Sequence, residues 1–303
     1  MLTLWQAFLG HYQTLLPYYF RSVDLPPSKA IEITLSDSDF VDAEYWKGSG
    51  KGLVILTHGL EGNTKAVYMR AMAKAYLDRG WDVLAWNFRG CSGRMNRLPV
   101  LYHSGAYLDL KDVLAYASQN LSPKKIHLVG FSLGANLTLV ATAKLGKEWL
   151  GKHGVEKAIA ISAPINLAAS SHKLELWWSW AYRFNFLRDM KAKIRLKAAQ
   201  FPKEIDVTQL ETISTIFEFD DRFTGPIHGF ASAADYYRKA SSVYQLTDIE
   251  IPTEIVIALN DPMLARGNYA EAIKANPLVH FTLPEEGGHC GFWGRDLTEI
   301  WNE

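Results

Sequence analysis

The chain has 303 residues, 48% of them apolar, which is enough to bury a large core and excludes a disordered polymer. Its 32 Lys plus Arg balance 32 Asp plus Glu, so no global field is available to hold a polyanion and nucleic acid is not expected as a partner. Two cysteines, Cys91 and Cys290, stand far apart without a CxxC or Cys/His ladder, so neither a metal nor a cofactor is expected, and two reduced thiols in a cytoplasmic protein are.

The opening MLTLWQAFLG is apolar but lacks a basic stretch and a small-residue cleavage site, so it is not read as a secretory signal. No apolar run reaches the roughly 18 residues needed to span a bilayer. AIEITL (30–35) and FVDAEYW (40–46) alternate in polarity, as an antiparallel edge does. The next runs are nearly unbroken apolar: GLVILTHG (52–59), WDVLAWNF (81–88), KIHLVGF (125–131), EKAIAIS (156–162), TEIVIAL (253–259) and LVHFTL (278–283). Such runs suit parallel strands covered on both faces. Helical patterns lie between them at 66–80, closed by Gly80 as a C-terminal cap, at 105–119 and at 135–150. The expected fold is α/β, a mostly parallel doubly wound sheet, in a single domain over 1–303. From 165 to 245 the strand rhythm stops, and this stretch is read as a helical lid inserted in that domain.

Ligands of open parallel sheets sit beyond the carboxyl ends of the strands, so polar groups just after a strand are the candidates for chemistry. GFSLG (130–134) puts Ser132 between two glycines where a strand hands over to a helix, as in a nucleophile elbow. Alone the pattern recurs by chance in about one chain in ten of this length. Its context is a β run before, a helical pattern after, and an Asp and a His later in the order Ser, Asp, His. A serine hydroxyl needs a base, and of nine histidines His289, in the glycine-rich GGHCGF (287–292), best suits that role. His58 is read as a loop shaper bonded to backbone, and His103, His153, His172, His228 and His280 as structural or surface groups. Asp261, at a strand end before Pro262, is favoured over Asp220, Asp221 and Asp248 to orient the imidazole. The backbone N–H groups of Leu133 and of Leu60, in HGLEG (58–62), are the expected oxyanion donors.

Together these residues resemble the α/β-hydrolase superfamily, and finer features resemble its YheT-like branch, whose eukaryotic relatives include lipid-directed ABHD hydrolases. GHYQTLLP (10–17) looks like the family's N-terminal segment, NFRGCSG (87–93) and YHSGAYLDL (102–110) like two of its loops, and FEFDDRFTGPIHGFASAADYYRKAS (217–241) like its most particular block. The resemblance implies an α/β-hydrolase fold and a metal-free ester hydrolase carried by Ser132, Asp261 and His289. Asn166 stands where relatives often carry Asp, a departure outside the triad, and His103 and Asp109 are spaced too widely for the HxxxxD motif of acyltransferase relatives.

The expected activity is a serine carboxylesterase for small-molecule or lipid esters of short to medium acyl chain. A lipase, phospholipase or thioesterase on the same triad is the alternative, and a non-catalytic lipid- or partner-binding hydrolase fold is the alternative of another class. Trp177, Trp180 and Phe184 recur with Leu187 at helical spacing, and two readings stand for them: a stripe packed on the core, or the wall of an acyl-chain pocket. The basic RDMKAKIRLK (188–197) is read either as a solvated helix face or as a surface for transient membrane contact. The acids of EFDDRFTGP beside Arg222 are expected to clamp the lid to the core by ion pairs.

Overall fold

The structure is a computed structural model that describes residues 4–265 and 269–292; the ends of the 1–303 domain assignment, 1–3 and 293–303, lie outside the described residues. β1 (Lys29–Thr34) pairs antiparallel with β2 (Phe40–Trp46), and β2 pairs antiparallel with β4 (Asp82–Trp86). From there β3 (Leu53–Thr57), β5 (Ile126–Phe131), β6 (Val155–Ile161), β7 (Thr253–Val256) and β8 (Val279–Thr282) run parallel. The eight-stranded order is β1-β2-β4-β3-β5-β6-β7-β8, an α/β-hydrolase sheet with the antiparallel pairing at one edge.

The unbroken apolar runs follow from burial on both faces. Leu53 and Ile55 join one core, with Leu110, Val113 and Leu137. Val54 and Leu56 point the other way and pack with Met69, Met72 and Phe131. α2 (Val67–Asp78) covers the second face, and α3 (Tyr107–Asn120) and α4 (Leu133–Lys152) cover the first. After β4, Arg89 ties the first turn of α3 to the β1–β2 turn: its guanidinium grips Asp109 at 2.6 and 2.8 Å and reaches Asp37 at 2.7 Å.

Two features complete the frame. α1 (Leu4–Phe20) is an element that the periodicity does not announce, and it lies against the loops that follow β7 and β8. Between β6 and β7 the described elements are all helical: α5 (Leu167–Glu175), α6 (Trp180–Gln200), short turns over 216–227 and a helix at Ala233–Ala240. This region has its own apolar core, in which Leu187, Met190 and Ile194 of α6 meet Phe219 and Phe223. Asn166, the departure noted above, caps α5 by accepting the Ala169 N–H at 3.1 Å.

Candidate active site

β5 hands over to α4 without a linker, and the residue at the joint, Ser132, takes φ +51° and ψ −121°. Such a backbone costs a non-glycine residue roughly 1–3 kcal/mol and persists only when its surroundings force it. The flanking glycines supply the force. A Cβ on Gly134 would sit 2.2 Å from the His58 carbonyl oxygen, and one on Gly130 would sit 2.3 Å from that of Gly134. The turn is therefore packed as closely as backbone permits, and the serine side chain is left facing a cavity.

Three residues from three strand ends meet there. His289 Nε2 lies 2.8 Å from Ser132 Oγ, and His289 Nδ1 lies 2.8 Å from Asp261 Oδ2. Since a carboxylate accepts only, Nδ1 carries the proton and Nε2 is left to accept from the serine hydroxyl. Asp261 is aimed by its own loop: Oδ1 accepts the N–H groups of Met263 at 2.8 Å and Leu264 at 3.1 Å. Burial would push the His289 pKa down, but the Asp261 carboxylate outweighs it and holds the ring well above its ordinary value. Asp220 and Asp221 lie in the helical region, where Asp220 meets Tyr237 and Asp221 accepts the Ala233 N–H.

Leu60 and Leu133 line the same cavity as Ser132. The loop that carries Leu60 is held from behind. His58 is buried; its Nδ1 donates to the Gly59 carbonyl at 2.8 Å and its Nε2 accepts the Phe88 N–H at 3.0 Å. Burial keeps that ring neutral, with a pKa of about 3. Glu61 accepts from Tyr102 OH at 2.6 Å and pairs with Lys193 of α6 at 2.9 Å, and Lys193 also lies 3.0 Å from Cys91 Sγ. Cys91 and Cys290 are both free thiols.

The cavity has about 1000 Å³ of empty space, its open mouth included. Its apolar wall comes from the helical region, through Leu174, Phe186, Met190, Ile194 and Phe219. Trp177, Trp180 and Phe184 are not on that wall. They are 78%, 61% and 60% exposed and face outward: Trp177 lies on a separate 3-10 turn before α6, and of the stripe only Leu187 is on the inward face of α6. His103 and His228, read from sequence as structural or surface groups, do line the cavity. The ion-pair clamp expected of EFDDRFTGP does not form: Arg222 donates to Gln209, Asp220 accepts from Tyr237 OH, and Asp221 accepts from a backbone N–H.

Sequence reasoning missed the supports of the histidine loop. Gln13 Oε1 of α1 accepts from Asn260 Nδ2 at 2.8 Å and from the Gly287 N–H at 2.9 Å. Thr14 Oγ1 accepts the His289 N–H at 2.9 Å, and Lys173 of α5 donates to the Asp261 carbonyl at 2.7 Å. The available signal was a glycine, Gly10, inside an otherwise apolar helical run. Among the described residues there is no cluster of acids, histidines or cysteines that could hold a metal ion.

The sequence profile described as alpha/beta hydrolase fold matches residues 52–296. YheT of Escherichia coli (strain K12), whose name includes the word esterase, is 35% identical over 302 residues, covering 97% of this chain and 87% of that protein. A monoacylglycerol lipase of Saccharomyces cerevisiae is 29% identical over 81% of this chain, and the match spans 56% of that protein's length. Phospholipase ABHD3 of Bos taurus is 28% identical over 84% of this chain and spans 62% of its own length. Among solved structures, the Pyrococcus furiosus esterase Pf2001 shares the fold with a TM-score of 0.59 at 18% identity, covering 89% of each chain.

Proposed function

Because the chain belongs to the α/β-hydrolase fold family, in its YheT-like branch, we propose that it is a serine carboxylesterase in which Ser132 is the nucleophile, His289 the base and Asp261 its orienting acid. The observation that carries this reading is the continuous Ser132–His289–Asp261 chain, with both contacts at 2.8 Å. Ser132 Oγ attacks the ester carbonyl as its proton passes to His289 Nε2, and the Leu60 and Leu133 N–H groups hold the oxyanion. His289 then returns the proton to the departing alcohol. Water repeats the two steps on the acyl-enzyme.

The apolar cavity wall supports neutral carboxylic esters of short to medium acyl chain as substrates. The yeast relative, a monoacylglycerol lipase, and the bovine relative, a phospholipase, support a second reading, a lipase or phospholipase on the same triad; thioester cleavage would use it too. The 165–245 region acts as the lid in this reading. Its outward aromatic side chains support transient contact with a lipid surface, and two free thiols suit a cytoplasmic setting. Among the described residues no helix is long and apolar enough to cross a membrane.

The test is hydrolysis of p-nitrophenyl esters from acetate to palmitate by the wild type and by Ser132→Ala. The expected result is activity with an optimum at short to medium chains that disappears in the variant. Equal baselines for both proteins across the series would favour a non-catalytic binding fold.

A further inference from the structure

The cavity holds a second group of polar side chains that the proposed reaction does not use. Asp220 heads a π-helical turn, is 7% exposed, and lines the cavity that also holds Ser132 and His289. The Tyr237 hydroxyl lies 2.7 Å from Asp220 Oδ2 and 3.0 Å from Ser171 Oγ. One hydroxyl carries one hydrogen, so Tyr237 donates to the carboxylate and accepts from Ser171, and the relay ends on Asp220. Burial pushes the Asp220 pKa up to about 6 against the pull of the Thr224 and Tyr237 hydroxyls, and among the described residues no cation pairs with it.

A buried carboxyl without a cation is costly unless a further donor reaches it. Apart from His289 of the triad, the basic groups of the cavity leave no anion site. Lys193 is committed to Glu61, and burial drives His103 and His228 toward the neutral form. An unsubstituted hydrocarbon acyl chain has no hydrogen-bond donor, so in an ester of such an acid it is the alcohol portion that can donate to Asp220.

We propose that Asp220, Tyr237 and Ser171 form a subsite for the hydroxyl groups of an uncharged, glycerol-type alcohol portion of the substrate, and that this subsite turns away phosphate-bearing head groups. The subsite rests on the esterase reading above and specifies its substrate class. It also gives the FEFDDRFT run a role beyond folding, since Asp220 is the charged side chain that this run places in the cavity beside Phe219 and Thr224.

The experiment compares kcat/KM for 1-octanoylglycerol, ethyl octanoate and 1-octanoylglycerol 3-phosphate in the wild type, Asp220→Asn and Tyr237→Phe. The wild type is expected to prefer the glycerol ester to the ethyl ester and to cleave the phosphate ester worst. Asp220→Asn should lower the glycerol-to-ethyl ratio about tenfold, the loss expected of one hydrogen bond to a charged group, and should narrow the penalty on the phosphate ester. Where Asp220→Asn does not fold, Tyr237→Phe reads the same ratio, with a fall in the same direction. An equal fall on all three esters would mark Asp220 as structural and overturn the subsite, as would a wild-type preference for the ethyl or phosphate ester. Cleavage of p-nitrophenyl esters with none of the glycerol ester overturns the subsite alone, whereas inactivity on every ester removes the esterase reading and the subsite with it.

Discussion

An imidazole can take the Ser132 proton only while its Nε2 is bare, so the His289 pKa decides the pH range of the proposed reaction. The Asp261 carboxylate, 2.8 Å from Nδ1, raises that pKa above the ordinary 6.5 despite burial. A raised value means that the protonated, inactive ring persists to higher pH. The expected kcat/KM therefore climbs along a limb centred above the ordinary imidazole value and is lost as the pH falls through it. Asp261→Asn removes the raising charge, so the limb moves down, while the plateau rate falls on the order of 10⁴-fold because the ring loses its enforced tautomer. pH–rate profiles on p-nitrophenyl butyrate check both shifts; a limb that stays in place in the variant would show that His289 is not the titrating base. The meeting of these three residues was legible because each follows a strand, and loops at the carboxyl ends of parallel strands converge. The Asp220–Tyr237 pair was not, because both residues lie on helices whose facing is fixed only by packing.

Elements were legible where one periodicity dominates. All eight strands lie within or beside the runs read from the sequence: β3 and β4, buried along their whole length, in nearly unbroken apolar runs with no polar face to disguise them, and β1, with every second side chain exposed, in an alternating one. α1 was hidden because it contains Gly10 and Pro17, which sequence rules treat as breakers. The structure gives the glycine a reason: a Cβ there would lie 2.0 Å from the Asn260 carbonyl oxygen, one residue before Asp261. The helix must come this close for Gln13 and Thr14 to hold the histidine loop. Gly10→Ala is therefore expected to destabilise the fold by about 1–3 kcal/mol, the usual result of forcing an extra carbon into a packed contact. The urea midpoint should fall with the slope unchanged. A variant as stable as the wild type would mean that α1 leaves the loop without cost, and the buttress would be discarded.

At the scale of the whole molecule, the apolar stripe of Trp177, Trp180 and Phe184 shows why helical spacing alone does not say which way a helix faces. The spacing is there, yet these side chains point away from the cavity, and Trp5 and Phe8 of α1 are exposed as well. The two helices meet where the His11 ring stacks on Tyr182 at 5.7 Å and bonds its hydroxyl at 3.0 Å. Aromatic side chains with one apolar and one wet end favour the boundary of a bilayer. The basic run 188–197 contributes little charge to such a contact: Arg188 pairs with Asp189 and Arg195 with Glu211, Lys193 and Lys197 are turned inward, and the Lys191 ammonium is tied to the Glu211 and Ile213 carbonyls. Vesicle binding should therefore be driven by apolar insertion, present on neutral phosphatidylcholine and little weakened by salt. Co-sedimentation of the wild type with such vesicles, against the triple change Trp177→Ala, Trp180→Ala and Phe184→Ala, provides the check. The wild type is expected in the pellet at both low and high salt and the triple variant in the supernatant, with p-nitrophenyl acetate hydrolysis retained in both. Pelleting that requires anionic lipid and vanishes in salt would assign the contact to the basic residues instead, and equal pelleting of the two proteins would remove this aromatic face from membrane contact altogether.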